Sequence, residues 1–232
     1  MLASLLILTI LAGPVAPASI SLFGPGDVVP EDVIESRGAD SFFSIQEISD
    51  DLFEFISGKS YKEGCTLPRS ELRYLTVLHR DIEGRAIVGE IMVNKAIAND
   101  ILEILRELYE NGYPIERMLL VDRYDASDEA SMNDNNSCGF NFRMIAHTSK
   151  PSKHGLGMAV DINPLYNPYH KITASGVEVT EPEAGASYLD RSKKFPYKIE
   201  RGDLCWRLFI AHGFKWGGGW ASSKDYQHFE KY

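Results

Sequence analysis

The chain has 232 residues, 44% hydrophobic and 11% aromatic, which suits one globular domain with a substantial core and extra terminal segments. Its 33 acidic and 24 basic residues give a net charge of −9. With no Lys/Arg-rich run, that balance argues against nucleic acid as a main partner, while an anionic polymer such as cell wall stays open.

Residues 1–18, MLASLLILTILAGPVAPA, read as a secretory signal peptide. The apolar stretch from Leu5 to Ala12 is too short to span a membrane, and no other segment is long and apolar enough. Ala16 and Ala18 offer the small residues that a signal peptidase reads, although no Lys or Arg precedes the apolar run. The competing reading is a buried N-terminal helix or strand. Export to the periplasm or the extracellular space is the expectation. It would permit one disulfide among Cys65, Cys138 and Cys205, with Cys138–Cys205 suggested by their flanking positions and three reduced thiols as the alternative.

Residues 19–64 read as a linker or loosely docked arm with one short amphipathic helix, Asp50 to Ile56. The compact domain is expected over 65–232. Leu72 to Leu78 and Ala86 to Val93 read as strands around the turn signal Asp81-Ile82-Glu83-Gly84, which predicts a hairpin. Asn94 is a candidate N-cap for a helix from Lys95 to Glu110, where Ile97, Ile101, Ile104, Leu105 and Leu108 recur at helical spacing. Asn111-Gly112 ends it, and Met118 to Val121 follows as a short buried strand. Asp125 to Gly139 is polar and reads as loop; its spacing does not fit a calcium-binding EF-hand. Phe140 to Arg143 reads as a strand, residues 171–200 as an irregular insertion that could wall a cleft, and Gly202 to His212 as a helix.

The chemistry concentrates in Ser152-Lys153-His154-Gly155-Leu156-Gly157-Met158-Ala159-Val160-Asp161. On an unbroken helix His154 and Asp161 would stand about 10 Å apart along the axis. On a straight strand they would stand more than about 20 Å apart. The glycines permit a reversal, so a loop entering a strand could fold His154 back towards Asp161. Asp225-Tyr226-Gln227-His228 supplies a second imidazole and another carboxylate. Two His and one carboxylate leave the fourth tetrahedral position for water, as a catalytic zinc ion requires. The remaining histidines, His79, His147, His170 and His212, read as surface or structural residues. Trp206 and Trp216 read as core; Tyr166 and Tyr169 are candidates for a rim.

Ser152, His154, Gly157, Ala159 and Asp161 resemble the S-x-H-x-x-G-x-A-x-D pattern of the zinc D-Ala-D-Ala carboxypeptidases and L-Ala-D-Glu endopeptidases, the VanY-like and phage-endolysin-like group of peptidase family M15. Asp225-x-x-His228 resembles the second motif of that family, and the likeness runs from about Leu67 to Tyr232. The resemblance implies an α+β domain of the Hedgehog/DD-peptidase-like type, a small antiparallel sheet flanked by helices with a single zinc site. It implies one Zn2+ ion held by His154, Asp161 and His228, with Asp225 as general base. It further implies Arg143 as a catalytic and substrate-binding residue near the scissile bond, and Ser152 as a substrate-binding residue. The implied substrate is a peptidoglycan stem peptide, and the chain is expected to act as a monomer. The carboxypeptidase branch usually has Glu where this chain has Asp225, which tilts the reading towards the endopeptidases without settling it. Two further readings stand beside this one: a non-catalytic wall-binding module on the same fold, and a zinc-dependent signalling domain.

Overall fold

The computed structural model describes residues 22–145 and 148–232. The signal-peptide reading of 1–18 and His147 lie outside the described residues. The fold is α+β, with small sheets that are antiparallel apart from one short parallel pair.

The described part of the expected linker is docked rather than loose. Helix α1 (Glu31–Arg37) carries Glu31 and Asp32 in its first turn and Arg37 in its last, each sign matched to the helix dipole. Strand β1 (Ser44–Glu47) follows. Val29, Ile34, Phe42 and Phe43 are buried in the main core. Their spacing has no helical or strand period, which is why the sequence read as a linker. Helix α2 (Asp50–Ile56) forms where expected, its Ser49 cap accepting from Leu52 N at 3.2 Å.

Strands β2 (Leu72–Arg80) and β3 (Ala86–Asn94) form the predicted hairpin. Asp81 organises its turn, with Oδ1 accepting from Glu83 N and Arg85 N. β1 adds to the outer edge of β2, giving the order β1-β2-β3. Helix α3 (Ala98–Glu110) lays Ile101, Ile104, Leu105 and Leu108 into the core. It starts three residues later than the sequence suggested. Asn94 is not its N-cap: Asn94 Oδ1 accepts from Ala96 N, and its Nδ2 donates to Leu156 O. The side chain therefore ties the end of β3 to the His154 segment.

Strand β4 (Arg117–Met118) is shorter than predicted and gives way to a 3-10 turn at Val121–Tyr124. The polar stretch expected as loop contains helix α4 (Asp128–Asn133), capped by Ser127, and strand β5 (Asn136–Ser137), which pairs parallel with β4. Ser131, Asn135, Asn136 and Ser137 are buried and hydrogen-bonded: Asn136 Nδ2 donates to Leu119 O and Ser131 Oγ, Asn135 Nδ2 donates to Glu116, and Ser137 Oγ accepts from Asn163 N. A polar core of this kind has no hydrophobic period to reveal it. Phe140 to Arg143 is extended but joins no regular ladder; Phe140 N donates to Met92 O and Phe142 N to Ser60 O.

Strand β6 (Ala159–Asp161) ends the motif segment. The supposedly irregular insertion holds a hairpin of β7 (Tyr169–Ile172) and β8 (Glu178–Glu181). Helix α5 (Leu204–Ala211) is capped by Asp203. Then come β9 (Lys215–Trp216), β10 (Lys224–Asp225) and β11 (His228–Glu230). Two further three-stranded sheets result, β6-β11-β9 and β10-β7-β8. Cys65, Cys138 and Cys205 are all free thiols, so the suggested Cys138–Cys205 bridge is absent and the reduced alternative holds. No helix among the described residues is long and apolar enough to cross a membrane.

Candidate metal centre and cleft

The period of a strand explains how β6 and β11 build one polar face. Side chains alternate, so Val160 and Phe229 point into the core, where Phe229 stacks on Phe209 at 4.1 Å between ring centroids. Asp161, His228 and Glu230 belong to the opposite face. Asp161 and His228 are direct antiparallel partners, as are Ala159 and Glu230.

His154 reaches the same point from a loop. A 3-10 turn over His154–Leu156 reverses the chain before β6, as the glycines predicted. Gly157 sits at φ +64, and a Cβ there would lie 2.7 Å from Asn94 N. A Cβ on Gly155 would lie 2.9 Å from Arg143 O. Both glycines are thus required by close backbone approach. His154 Nδ1 is 2.7 Å from Gly139 O and donates to it, which leaves Nε2 free to face the site.

Three donor atoms converge there. Asp161 Oδ2 is 3.1 Å from His154 Nε2, Asp161 Oδ1 is 3.0 Å from His228 Nδ1, and the two ring nitrogens are 3.1 Å apart. All three residues are buried, and their ligand atoms lie within 4.8 Å of one another. Donors each about 2 Å from a tetrahedral ion would be about 3.3 Å apart, so this nitrogen–nitrogen–oxygen set fits a small divalent ion. Burial raises the Asp161 pKa, but the imidazoles, His154 foremost, outweigh it and hold its carboxyl well below the usual carboxylate range. Burial opposes charge on His228, yet its hydrogen bonds to Asp161 and then Glu230 push its pKa up to about 10. The carboxylates thus draw positive charge to this point, the same property that suits it to a cation.

Asp225 reaches the centre from a third direction. It ends β10, opposite Tyr169 of β7. Its Oδ1 is buried without a hydrogen-bond partner. Burial, against an opposing effect of His228 and with a further push from Asp161, raises its pKa to about 7. That value suits a group that takes and returns a proton near neutral pH.

A cleft of about 360 Å3 opens over these groups. Arg143 lines it, its Nη1 lying 3.2 Å from both oxygens of Asp128. Ser152 lines it too, but Ser152 Oγ also accepts from Gly155 N at 3.0 Å and so holds the His154 turn. Tyr169 and Glu181 of the β7–β8 hairpin form one wall, and Trp220 stands 5.4 Å from His228 between ring centroids. The insertion therefore walls the cleft as expected. Tyr166 instead packs on Tyr188 and Tyr197 and is not among the cleft residues. Of the other histidines, His79 is buried against Ile115 O, His170 pairs with Glu178 and His212 with Asp100.

The chain's relationships agree with this geometry. Residues 146–231 match the family model described as D-alanyl-D-alanine carboxypeptidase. This match supports the M15 peptidase family for the segment. The matched segment contains His154, Asp161, Asp225 and His228 and is preceded by Arg143. The M15 family is in general zinc-dependent, and the trio could hold such an ion. No curated protein and no solved structure matches the chain. Sequence reasoning missed Asp128, Glu181 and the role open to Glu230. Only Glu230 carried a usable signal: two residues beyond His228 on a strand, it shares that residue's face.

Proposed function

We propose that the protein is an exported zinc peptidase that hydrolyses peptide bonds in peptidoglycan stem peptides. The observation that carries this reading is the buried His154, Asp161 and His228 trio, with the unpartnered Asp225 carboxylate oxygen in the same cleft. His154 Nε2, Asp161 and His228 Nδ1 would hold the ion. When bound, zinc supplies Lewis-acid polarisation of a carbonyl and activation of water. Asp225 accepts a proton in the attack on the scissile carbonyl and returns it to the departing amine. Arg143, aimed by Asp128, orients the peptide and balances negative charge developing on the carbonyl oxygen. Ser152 contributes to the peptide site while bracing the His154 turn.

The bond cut is one of two, the terminal D-Ala-D-Ala link or the L-Ala-D-Glu link. The family description favours the first; Asp225 in place of Glu favours the second. The alternative of a non-catalytic wall-binding module is opposed by the unpartnered, buried Asp225 oxygen, which such a module would have no use for.

Hydrolysis of synthetic stem peptides by the zinc-loaded chain and by Asp225→Ala tests the reading. Metal-dependent turnover by the first and not the second is expected. Equal turnover by both would remove Asp225 from its role, and zinc binding without turnover by either would favour the binding module.

A further inference from the structure

The two imidazoles of the trio are held in opposite senses. His154 gives Nδ1–H to the Gly139 carbonyl and turns Nε2 inward. His228 turns Nδ1 inward, towards Asp161 and His154. Its outward Nε2 lies 3.4 Å from Glu230 Oε2. Glu230 is only 7% exposed. Its other oxygen accepts the Tyr232 hydroxyl at 2.6 Å. The Tyr232 ring in turn lies 3.6 Å from Lys153 Nζ, centroid to atom, and Lys153 immediately precedes His154.

We propose that Glu230, steadied by Tyr232, is the positioning residue that fixes the tautomer and ring orientation of His228 so that Nδ1 is presented to the ion. The inference rests on reading the trio as a metal centre. A neutral imidazole has one N–H and one lone pair, and whichever nitrogen donates a hydrogen bond leaves the other to ligate. A carboxylate beside Nε2 keeps the proton there and raises the basicity of Nδ1. Asp161 cannot do this, because it faces Nδ1 itself. The strand makes the arrangement stiff: His228 and Glu230 are two residues apart on β11, on one face. Burying a carboxylate is costly without partners, and Glu230 has two, the imidazole N–H and the tyrosine hydroxyl. Tyr232 also ties this carboxylate through Lys153 to the turn that carries His154, linking the supports of both imidazoles.

The test uses the full chain and three variants, Glu230→Gln, Glu230→Ala and Tyr232→Phe. Zinc dissociation constants are measured by chelator competition, the visible spectrum of each cobalt-loaded protein is recorded, and the thermal unfolding of each metal-free protein is followed. Glu230→Gln and Glu230→Ala are expected to weaken zinc about 10- to 100-fold and to shift the cobalt bands, with metal-free unfolding close to wild type. Tyr232→Phe, which keeps the ring under Lys153 but loses the hydroxyl, is expected to weaken zinc by a smaller factor in the same direction. Zinc affinity of Glu230→Gln within about twofold of wild type, with unchanged cobalt bands, would overturn the positioning role while leaving the metal centre intact. Weakened zinc accompanied by an equal collapse of the metal-free fold would overturn it in favour of a structural anchor. A wild-type chain that takes up no zinc would fail at the earlier step, the metal centre itself.

Discussion

Asp161 and His228 are direct register partners across β6 and β11, and their side chains meet, with Asp161 Oδ1 3.0 Å from His228 Nδ1. Two potential ligands far apart in the chain are therefore placed by backbone pairing rather than by a flexible loop. A one-residue slip of β11 against β6 would send Phe229 to the polar face and His228 into the core while Asp161 stayed in place. The same burial that makes Val160 and Phe229 core residues thus sets the geometry of the centre.

Removing the shared carboxylate should disassemble the site without unfolding the chain. Asp161→Ala is expected to lose the bound zinc found in the wild type, with secondary structure by circular dichroism retained. Metal analysis after dialysis checks it; full zinc content in the variant would show that the ion is held elsewhere.

Asp225 should separate binding from turnover. Asp225→Ala is expected to keep zinc and to lose about 10²- to 10⁴-fold in turnover, the usual contribution of a positioned proton carrier. Steady-state kinetics on a stem peptide, paired with metal analysis, gives both quantities. Loss of zinc in step with activity would make Asp225 a ligand instead.

Gly157 should tolerate no side chain. At φ +64, with a Cβ position 2.7 Å from Asn94 N, Gly157→Ala combines backbone strain with a clash against β3. The strain alone costs about 1–3 kcal/mol. Urea unfolding should show at least that loss, together with weaker zinc binding as the His154 turn shifts. An unchanged midpoint would mean that the turn adapts freely.

His79 should make the fold acid-sensitive. It is buried, with Nδ1 donating to Ile115 O at 2.7 Å, and burial above all depresses its pKa from 6.5 to about 4. Below pH 6.5 the unfolded chain gains a proton that the folded chain refuses, so stability falls as pH drops from 6.5 towards 4. The full loss is about 3 kcal/mol, reached below the folded-state pKa. His79→Asn, which cannot take up charge, should flatten this part of the pH profile even if it lowers stability throughout. Parallel profiles for the two proteins would remove His79 as the cause.

The sequence made the β2–β3 hairpin, α3 and the metal trio legible for different reasons. Ile101, Ile104, Leu105 and Leu108 announce α3 because a single buried face imposes its period. His154 and Asp161 are legible because the glycines between them permit the chain reversal that could bring two ligands together. The arm at 22–48 was misread because Ile34 buries from a two-turn helix and Phe42 and Phe43 from a 3-10 turn and its end, segments too short to set up a period. Residues 125–139 were misread because Asn135, Asn136 and Ser137 build a buried polar network, and composition cannot distinguish that from a solvated loop. Asp128 became visible beside Arg143 only in the folded structure, since 15 positions in sequence separate a helix start from an extended segment. Ser152 shows the opposite case: the motif suggested a substrate contact, and the structure gives its hydroxyl a bond to Gly155 N as well.

Digestion of purified peptidoglycan tests for metal-dependent hydrolysis of a stem peptide. The zinc-loaded chain is incubated with the polymer, beside a chelated control, and the products are read by mass spectrometry. A product that appears only with metal is expected, either loss of a terminal D-Ala or release of peptide after L-Ala, and its mass identifies which bond is cut. An intact stem peptide after treatment with zinc-loaded protein would contradict that reading.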